Sequence, residues 1–580
     1  MSPSFMRSLG HGNDGSDCGI DGSHDGISDK IVLPEPNFKC AITHPNNLRI
    51  IPLKVMDMNI LFLLLLPLFL LIFKHLTNPS PKNLPPGPRP WPIIGNILQI
   101  GRKPHISITH FANLHGLLIS LKLGSQLLVV GSSPAAATEI LKTHDRQLSA
   151  RYTPKVTIPS LRPLSLVWAG ECNEHWKSLR SLCRTELFSV KAIELQAGLR
   201  ERKVGEMVEF VGSKEKEGKG VKIGEVVFAT VFNILGNICF SKYFIELKDE
   251  GVAGGLKGVI WKMMELGTTP NGLRKKAMEY QEEVYRMWEV IITERKESEG
   301  VDASRQHDFL DVMLSCQFSD MQINLLILEL FIAGTDTTTS TIEWAMAEVV
   351  KNKEAMEKLR EELGKEIGAE SINESHMSQL PYLHACVKET LRLHPPAFSA
   401  SSSYTIPQNT QVIVNVWAIG RDPTIWEDPL SFKPKLFLDS KLDFRGQDFE
   451  LLPFGAGRRM CPGLPLGIKQ VHLILASLVH RFEWLLPNNE DPLRLDMNEK
   501  FGITLQKEQP LLLIPKQKPT VSQPMQMESQ VKMRETKMLR YLGSKAGQMV
   551  NIKETSHAIG KGKAAATSFL EDFFPEEAQS

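Results

Sequence analysis

The sequence lacks any closely spaced pair of cysteines. Its eight cysteines stand at positions 18, 40, 172, 183, 239, 316, 386 and 461, and no two of them form a C-x-x-C motif. Zinc ribbons and thioredoxin-like redox sites therefore have no support in the sequence. Because the spacing does not suggest a disulfide framework either, we expect free thiols in a reducing compartment.

The chain also lacks an excess of charge of either sign. Its 67 basic and 66 acidic residues give a formal net charge of +1, so the charge balance does not indicate a nucleic-acid partner. We find no internal repeat. With 580 residues, 42% of them hydrophobic, the chain is long enough for one large α-rich domain with tails.

Runs of β-branched residues are short and few. The clearest runs are Leu117–Leu123, Leu127–Val130 and Gln411–Val416. Long amphipathic stretches dominate residues 93–515, which predicts a folded body that is mainly α with small β-sheets. Residues 1–55 are polar and rich in Gly, Asp and Ser, so we predict a disordered N-terminal extension. Residues 516–580 lose the apolar periodicity, which predicts a poorly ordered C-terminal tail.

One long apolar run precedes the body. Met58–Phe73 holds 16 residues without a charge, slightly fewer than the roughly 20 that span a typical bilayer. A thinner endoplasmic reticulum membrane narrows that gap. More positive charge follows the run than precedes it, which places the body in the cytoplasm. We predict a membrane anchor at residues 56–75.

A cleaved signal peptide is the alternative interpretation of this run. No small-x-small cleavage site follows it, and residues 76–92 are instead rich in proline. Such a stretch is stiff and semi-extended. We therefore predict that residues 76–92 are a linker between the anchor and the body.

The motif FGAGRRMCPG occupies residues 454–463 and places Cys461 in a glycine-rich loop with two arginines. A cysteine thiolate is a strong ligand for soft metals, and haem iron held by a thiolate favours O–O cleavage. Glycines such as Gly463 let the backbone approach a flat ligand, and backbone N–H groups can tune the sulfur. Arg459 is placed to meet an anion such as a haem propionate. The alternative is a buried structural cysteine beside a turn.

A long buried helix is predicted from Asp320 to Asn352, because its first half is apolar on all sides. The string AGTDTT at residues 333–338 is polar, although polar side chains are costly to bury in the middle of an apolar helix. Such departures from local sequence preference tend to occur at functional sites. We expect the Thr337 hydroxyl to bond a carbonyl or a water and open the helix for a small molecule. Asp336 would feed protons inward. The alternative is that these threonines only bond back to their own helix.

Two further patterns are weak when taken alone. Glu389 and Arg392 stand three residues apart and can pair on one helix face, which the following prolines end. Trp176 and Arg180 stand four apart and together could hold a carboxylate of a large cofactor. Both spacings occur by chance in many helices.

The four motifs occur in the order W-x-x-x-R, A-G-x-D-T-T, E-x-x-R and F-x-x-G-x-R-x-C-x-G. With this order the chain resembles the cytochrome P450 family from Met56 to about Pro515. The strings FIAGTDTTTSTIEWAMAE, NVWAIGRDP and DFELLPFGAGRRMCPGLPL look most like plant-type microsomal members, such as geraniol 8-hydroxylase and related terpenoid hydroxylases. The resemblance implies the cytochrome P450 fold with a single N-terminal anchor in the endoplasmic reticulum membrane.

The resemblance also implies roles for individual residues. Cys461 would be the axial thiolate ligand of the iron of haem b. The residues that would hold the propionates are Trp176, Arg180 and Arg459. Phe454 would pack near the cysteine loop, of which Gly463 is part, and Asp336 and Thr337 would shape proton delivery to bound dioxygen.

The activity implied by the resemblance is that of a monooxygenase. Such an enzyme inserts one atom of dioxygen into a small apolar substrate, here a terpenoid or similar secondary metabolite, and releases the other as water. Electrons come from NADPH through a separate partner, NADPH-cytochrome P450 reductase, at the cytoplasmic face of the endoplasmic reticulum.

The sequence departs from the family pattern at three places. Leu436 stands where the family has an arginine that joins the Glu389–Arg392 pair. Loss of one member of a buried charge network costs on the order of 3–5 kcal/mol. The stretch 397–403 looks abbreviated, as does the connection at 268–272. These departures leave an alternative, a catalytically impaired P450 relic that binds haem poorly or not at all.

Overall fold

The computed structural model describes a defined part of the chain. The described residues are 65–67, 69–70, 73, 84–151, 159–247, 258–259, 274–297, 307–397, 399–404 and 410–517. The chain divides into two units, residues 1–73 and residues 74–580. The predicted extension at 1–55 and the connection at 268–272 lie outside the described residues, as does all but the start of the predicted tail.

The predicted anchor is described only in part. Residues 65–67, 69–70 and 73 are helical, and the rest of the run lies outside the described residues. Within the described ranges, two other helices are long and apolar enough to cross a membrane, Ile223–Phe240 and Asp320–Lys351. Their apolar windows are 83% and 72% buried inside the protein, so both are core helices of the body. The anchor at 56–75, the linker and the other domain bounds remain predictions.

Helices dominate the described part of the body. We number the α-helices α1 Ile97–Ile100, α2 Pro104–His115, α3 Pro134–Thr138, α4 Glu174–Glu186, α5 Val190–Leu195, α6 Ala197–Lys216, α7 Ile223–Phe240, α8 Arg274–Glu297, α9 Phe309–Ser315, α10 Asp320–Lys351, α11 Lys353–Glu366, α12 Pro381–Leu393, α13 Val416–Ile419 and α14 Leu464–Arg481. A π-helix at Glu139–Thr143 and short 3₁₀ turns, one of them at Gly457–Arg459, join them. The mainly helical fold with small sheets is thereby confirmed.

Among the described residues, the strands are short and lie in three small sheets. They are β1 Leu118–Leu123, β2 Gln126–Gly131, β3 Val221–Lys222, β4 Ser399–Tyr404, β5 Thr410–Asn415, β6 Phe482–Leu485, β7 Glu499–Lys500, β8 Gln506–Lys507 and β9 Leu512–Gln517. The sheet orders are β1-β2-β5-β4, β3-β9-β6 and β7-β8. The three predicted β-branched runs correspond to β1, β2 and β5. Each end of a predicted run lies within one residue of the corresponding end of its strand.

The segment that looked abbreviated after Pro396 forms a regular strand. β4 pairs with β5 in antiparallel register, from Ser399 opposite Asn415 to Tyr404 opposite Thr410. β5 in turn pairs in parallel with β2. The backbone hydrogen bonds of this segment are therefore made within a four-stranded sheet, as backbone groups inside a protein require.

Helix α10 is the central element of the body. Its start is a capping box, in which the Ser319 hydroxyl accepts from Gln322 N and the Gln322 side chain accepts from Ser319 N. Apolar residues then face inward on all sides because α7, α14 and α12 pack around the helix. Phe331 lies in a cluster of aromatic rings with Phe232 and Trp288, at ring-centroid distances of 4.6 and 5.5 Å. The predicted bounds, 320–352, differ from the observed ones by one residue.

Candidate functional site

A cavity of about 500 Å³ lies where the middle of α10 faces the cysteine loop and the start of α14. Its volume falls in the range of small-molecule sites, roughly 300–1,000 Å³. Apolar side chains make most of its wall, among them Leu166, Leu187, Phe188, Leu235, Ile238, Leu330, Leu391, Leu452, Leu466 and Ile503. The polar groups on this wall are therefore the chemically informative ones.

The cysteine loop is held in a tight conformation by glycine. Gly457 has φ +68°, and a Cβ at this position would stand 2.3 Å from the Leu141 carbonyl oxygen. Only glycine fits that close approach without strain. The loop closes on itself when Cys461 N donates to the Phe454 carbonyl at 3.0 Å. The Phe454 ring packs edge-on against Phe444 with centroids 5.6 Å apart, as expected for a residue that supports the loop.

The Cys461 thiol faces the cavity. Cys461 is exposed by surface area, but the surface that it exposes belongs to the cavity wall. The protein atoms around the thiol raise its pKa by burial, while the backbone N–H groups of Gly463 and Leu464 and the Arg180 charge lower it. Those N–H groups stand at the N-terminus of α14, which favours negative charge. The site therefore suits a thiolate that a bound metal ion stabilises.

Three arginines gather beside the cysteine. Arg151, Arg180 and Arg459 all line the cavity. Arg180 Nη2 donates to the Met460 carbonyl at 2.5 Å, and Arg459 donates to Ser149 O at 2.9 Å and to Ala169 O at 2.7 Å. Burial, with the Arg459 charge as the next cause, lowers the pKa of Arg151 to about 10. Three neighbouring cations make this end of the cavity an anion site.

Trp176 supports these arginines in a way that the sequence did not indicate. Its indole N–H donates to the Leu166 carbonyl at 2.9 Å, so this group is already bonded. Its ring lies 5.4 Å from the guanidinium carbon of Arg180 and 4.7 Å from that of Arg459. Cation–π contact thus fixes the direction of both arginines. The structure places Trp176 as their support rather than as a free hydrogen-bond donor.

These residues fit a haem. Within the described residues, Arg459 Nη1 and Arg151 Nε are buried without a hydrogen-bond partner. Buried donors are normally paired, so such groups call for an acceptor. A flat tetrapyrrole whose iron meets Cys461 would bring two carboxylates to this end of the cavity. The donor set, one thiolate and several guanidinium groups, matches that chemistry.

The threonines of α10 line the cavity but do not open the helix. Thr337 Oγ1 donates to Ala333 O at 2.7 Å, and Thr338 Oγ1 donates to Gly334 O at 2.8 Å. The helix is continuous from Asp320 to Lys351. The expected opening is therefore absent from the described helix, and the alternative of bonding back to the helix is what the structure shows. Thr337 still lines the cavity, and its hydroxyl oxygen can accept one more hydrogen bond.

Asp336 lies behind the cavity wall. Its carboxylate accepts hydrogen bonds from the Thr504 hydroxyl and from Gln506 Nε2, the latter at 2.7 Å. It is not among the lining residues. Burial raises the pKa of Asp336 to about 6. The structure therefore turns this carboxylate toward the segment around β8, away from the position from which it would feed protons directly inward.

Glu389 and Arg392 form the pair that their spacing predicts. Arg392 Nε and Nη2 donate to the two carboxylate oxygens at 2.6 and 2.7 Å, and both side chains are fully buried. The remaining N–H groups of Arg392 donate to carbonyl oxygens of Gly420, Pro429 and Ser431. All five N–H donors of the guanidinium are thus bonded. The charged part of the network is thus the two-residue pair that the sequence predicts, and backbone carbonyls satisfy the remaining donors.

Two residues that line the cavity, Arg151 and Glu329, were not predicted from the sequence. Arg151 follows no motif, and Glu329 is a lone acid in an apolar stretch. Both line the cavity. Glu329 stands four residues before Ala333, on the face of α10 that Thr337 shares, since residues four apart on a helix are neighbours. Once the AGTDTT string is placed on a helix, this spacing indicates that Glu329 lies on the same helix face as Thr337.

Comparison with known proteins agrees with this geometry. Residues 85–514 match the family model for cytochrome P450. The chain is 48% identical over 471 residues to a probable (S)-N-methylcoclaurine 3'-hydroxylase isozyme 2 of Coptis japonica, which covers 77% of this chain and 96% of that protein. An (S)-N-methylcoclaurine 3'-hydroxylase isozyme 1 of Papaver somniferum is 47% identical, with 77% and 97% covered.

The geraniol 8-hydroxylase of Catharanthus roseus is 39% identical, with 76% of this chain and 96% of that protein covered. The resemblance to plant cytochromes P450 is confirmed, and these relatives are hydroxylases of plant secondary metabolites. The identity is higher with the two N-methylcoclaurine hydroxylases than with the geraniol 8-hydroxylase. A haem-thiolate iron centre and monooxygenase chemistry come with the family. The chain therefore belongs to the cytochrome P450 family of monooxygenases.

Proposed function

We propose that this protein hydroxylates a small, largely apolar plant secondary metabolite. The observation that carries the proposal is the convergence on one apolar cavity of Cys461, three arginines and Thr337. These groups come from parts of the chain that are up to 310 positions apart. Their meeting in one place is what a site for a haem and a small substrate would require.

Each side chain has a distinct task in this proposal. Cys461 would hold the iron, and Arg180 and Arg459, oriented by Trp176, would hold the carboxylates of the haem. When bound, the haem supplies the iron that activates dioxygen. The Thr337 hydroxyl donates to Ala333 O, so its oxygen can accept a hydrogen bond from a water in the cavity and position that water. The apolar wall excludes bulk water and orients the substrate.

Asp336 has an indirect task. Its carboxylate is bonded to Thr504 and Gln506 and lies outside the cavity lining. Ile503, the neighbour of Thr504 in sequence, does line the cavity. We assign to Asp336 the positioning of this wall segment against α10. A proton that it holds reaches the cavity only if Gln506 or a water relays it.

The redox partner and the location follow from the resemblance. Electrons would come from NADPH through NADPH-cytochrome P450 reductase, and the anchor at 56–75 would hold the protein on the cytoplasmic face of the endoplasmic reticulum. The two hydroxylases whose names specify an N-methylated compound favour a substrate with a nitrogen over a terpenoid. Geraniol 8-hydroxylase keeps the terpenoid class as a second group to screen.

The test is the spectrum of the reduced protein under carbon monoxide. We expect the Soret band of thiolate-ligated haem for the full chain. Cys461→Ala should abolish this band, whereas Cys316→Ala should keep it, because Cys316 is exposed and outside the cavity lining. A band that survives in Cys461→Ala removes Cys461 as the ligand. Absence of the band in the unchanged protein would support the impaired relic instead.

Turnover is measured next, with purified reductase and NADPH. We expect consumption of NADPH that depends on reductase and rises with a substrate. A normal thiolate band without any reductase-dependent reduction would contradict the assigned redox partner while leaving the haem site intact.

A further inference from the structure

One carboxylate is found among the described residues that line the mainly apolar cavity. Glu329 is the only acidic residue among the described residues that form its wall. It stands on α10 eight positions before Thr337, which places it about 12 Å along the helix from the oxygen-activating end of the cavity. Among the described residues, the charged groups of the cavity wall are therefore three arginines and this single carboxylate.

Glu329 is held firmly by the segment that precedes α4. Its carboxylate accepts from Leu166 N at 2.8 Å, from Val167 N at 3.2 Å and from the Ser165 hydroxyl. These donors fix the carboxylate in one orientation and occupy three of about four acceptor positions. One position remains for a further donor.

The charge of Glu329 has no close counter-charge. Within the described residues, no lysine, arginine or histidine forms an ion pair with it, and Arg151 acts on it only through longer-range attraction. Burial raises the pKa of Glu329 to about 7, although its three donors and Arg151 oppose that shift. A buried carboxylate without a paired cation is energetically unfavourable. A cation that enters the cavity would remove this penalty.

We infer that Glu329 is the residue that selects an amine substrate, by binding the protonated nitrogen at the cavity wall about two turns of α10 before Thr337. The inference rests on the proposed hydroxylase function and names its substrate class. A nitrogen within about 3 Å of the carboxylate leaves the rest of the molecule to extend along α10 toward Thr337. The site of oxidation is then a carbon several ångströms from the nitrogen.

The names of the relatives are consistent with this substrate class, because two of them specify an N-methylated compound. The same side chain also makes structural contacts, since its hydrogen bonds hold residues 165–167 against α10. The two roles predict different results for one substitution. In Glu329→Gln the amide oxygen still accepts from the two backbone N–H groups, and the amide N–H can donate to Ser165. The variant therefore keeps the structural contacts and loses only the charge.

The experiment compares two probes of nearly equal shape. N,N-dimethyl-4-phenylbutylamine is a cation at pH 7.5, and (5-methylhexyl)benzene is its neutral carbon isostere. Binding of both to the full-length protein is measured by equilibrium dialysis, which reads binding whether or not the haem site is intact. Glu343→Gln is the matched control, because Glu343 is a buried carboxylate on the same helix that accepts from Leu511 N and lies outside the cavity lining.

We expect Glu329→Gln to weaken binding of the amine by about 10- to 100-fold, the contribution of a charge-assisted hydrogen bond, and to leave the isostere unchanged. Glu343→Gln should change neither. Equal weakening of both probes in Glu329→Gln would show a structural role alone and overturn the inference, as would no change for either probe. A Soret shift that shows the amine nitrogen bound to iron would also overturn it.

The carbon monoxide spectrum of the same preparations separates this inference from the proposed function. A normal thiolate band without selection for the cation means that the inference fails and the hydroxylase proposal stands. Selection for the cation without a thiolate band means that the binding site is real and the proposed chemistry fails.

Discussion

The Arg392 guanidinium and the Glu389 carboxylate form an ion pair in which neither side chain is exposed. Glu389 Oε1 also accepts from Lys433 N at 2.7 Å, which attaches the pair to the segment before Leu436. Leu436 itself is partly buried against the main hydrophobic cluster. Position 436, where the resemblance implies an arginine, is thus filled by an apolar side chain that packs, while backbone groups complete the polar network.

Substitution Leu436→Arg tests whether the missing arginine impairs the protein. We expect haem occupancy that does not exceed that of the unchanged chain, because every N–H donor of Arg392 is already bonded and the new guanidinium would enter an apolar cluster. Occupancy is measured as the ratio of Soret to protein absorbance. A clear rise in haem occupancy in Leu436→Arg would show that the network lacks a partner. It would then favour the alternative of a catalytically impaired protein.

Substitution Glu389→Gln tests the pair itself. It leaves the Arg392 charge buried without a counter-charge, so we expect a loss of about 3–5 kcal/mol in the free energy of unfolding. Urea denaturation followed by tryptophan fluorescence gives this value. Glu174→Gln is the control, since the Lys177–Glu174 pair has the same spacing on an exposed surface and such pairs contribute about 0–1 kcal/mol. Equal effects of the two substitutions would contradict the assigned role.

Thr337→Ala should separate haem binding from productive oxidation. The hydroxyl forms one hydrogen bond within α10, which contributes about 1 kcal/mol, so folding and the carbon monoxide band should persist. We expect NADPH consumption to continue while hydrogen peroxide replaces product. Thr338→Ala is a matched control, because Thr338 makes the same type of bond and also lines the cavity. If NADPH consumption stayed fully coupled to product formation in Thr337→Ala, the Thr337 hydroxyl would serve only to stabilise α10.

Asp336→Asn should change how stability depends on pH. Burial raises the pKa of Asp336 from 3.8 to about 6, so the folded protein holds this proton more tightly than the unfolded chain. Its ionisation therefore lowers stability as pH rises from about 4 to about 6. The two pKa values differ by about two units, which corresponds to about 3 kcal/mol.

The measurement is urea denaturation of the unchanged protein and of Asp336→Asn at pH 4 and at pH 7. The stability of the unchanged protein relative to the variant should fall by about 3 kcal/mol between these values. Asp439→Asn, at an exposed position, is the control and should show a parallel profile. A constant difference between the unchanged protein and Asp336→Asn would rule out this titration.

Arg151→Gln should weaken retention of haem. The buried Nε of Arg151 has no hydrogen-bond partner among the described residues, and the cluster of three arginines favours an anion. Loss of one charge-assisted bond corresponds to about 10- to 100-fold faster haem loss, measured by transfer to apomyoglobin. Arg146→Gln, at an exposed position outside the cavity lining, should change nothing. An unchanged rate in Arg151→Gln would exclude contact between this arginine and the haem.

Much of the fold and part of the site could be predicted from local sequence. The bounds of α10 follow from the capping residue Ser319 and a run of apolar side chains, because capping and burial act within one element. The cysteine loop is a contiguous motif in which Gly457 allows the close approach to the Leu141 carbonyl. The spacing of Glu389 and Arg392 likewise determines that they can meet on one turn of α12.

Other features depended on contacts between distant parts of the chain. Asp336 turns to Thr504 and Gln506, and Glu329 turns to residues 165–167, although all of these partners lie more than 160 positions away. No local pattern encodes such partners, so the direction of Asp336 was predicted as inward and Glu329 was not singled out. Arg392 likewise finds its carbonyl partners in the segment 420–431.

The sequence by itself determined the helical periodicities, the cysteine loop and the family, because these depend on residues that are neighbours along the chain. Only the tertiary structure decided which way each polar side chain faces in the cavity wall. The physical reason is that a buried polar group takes whichever partner the packed elements bring within about 3 Å. That choice turned Asp336 away from the cavity and left Glu329 facing into it.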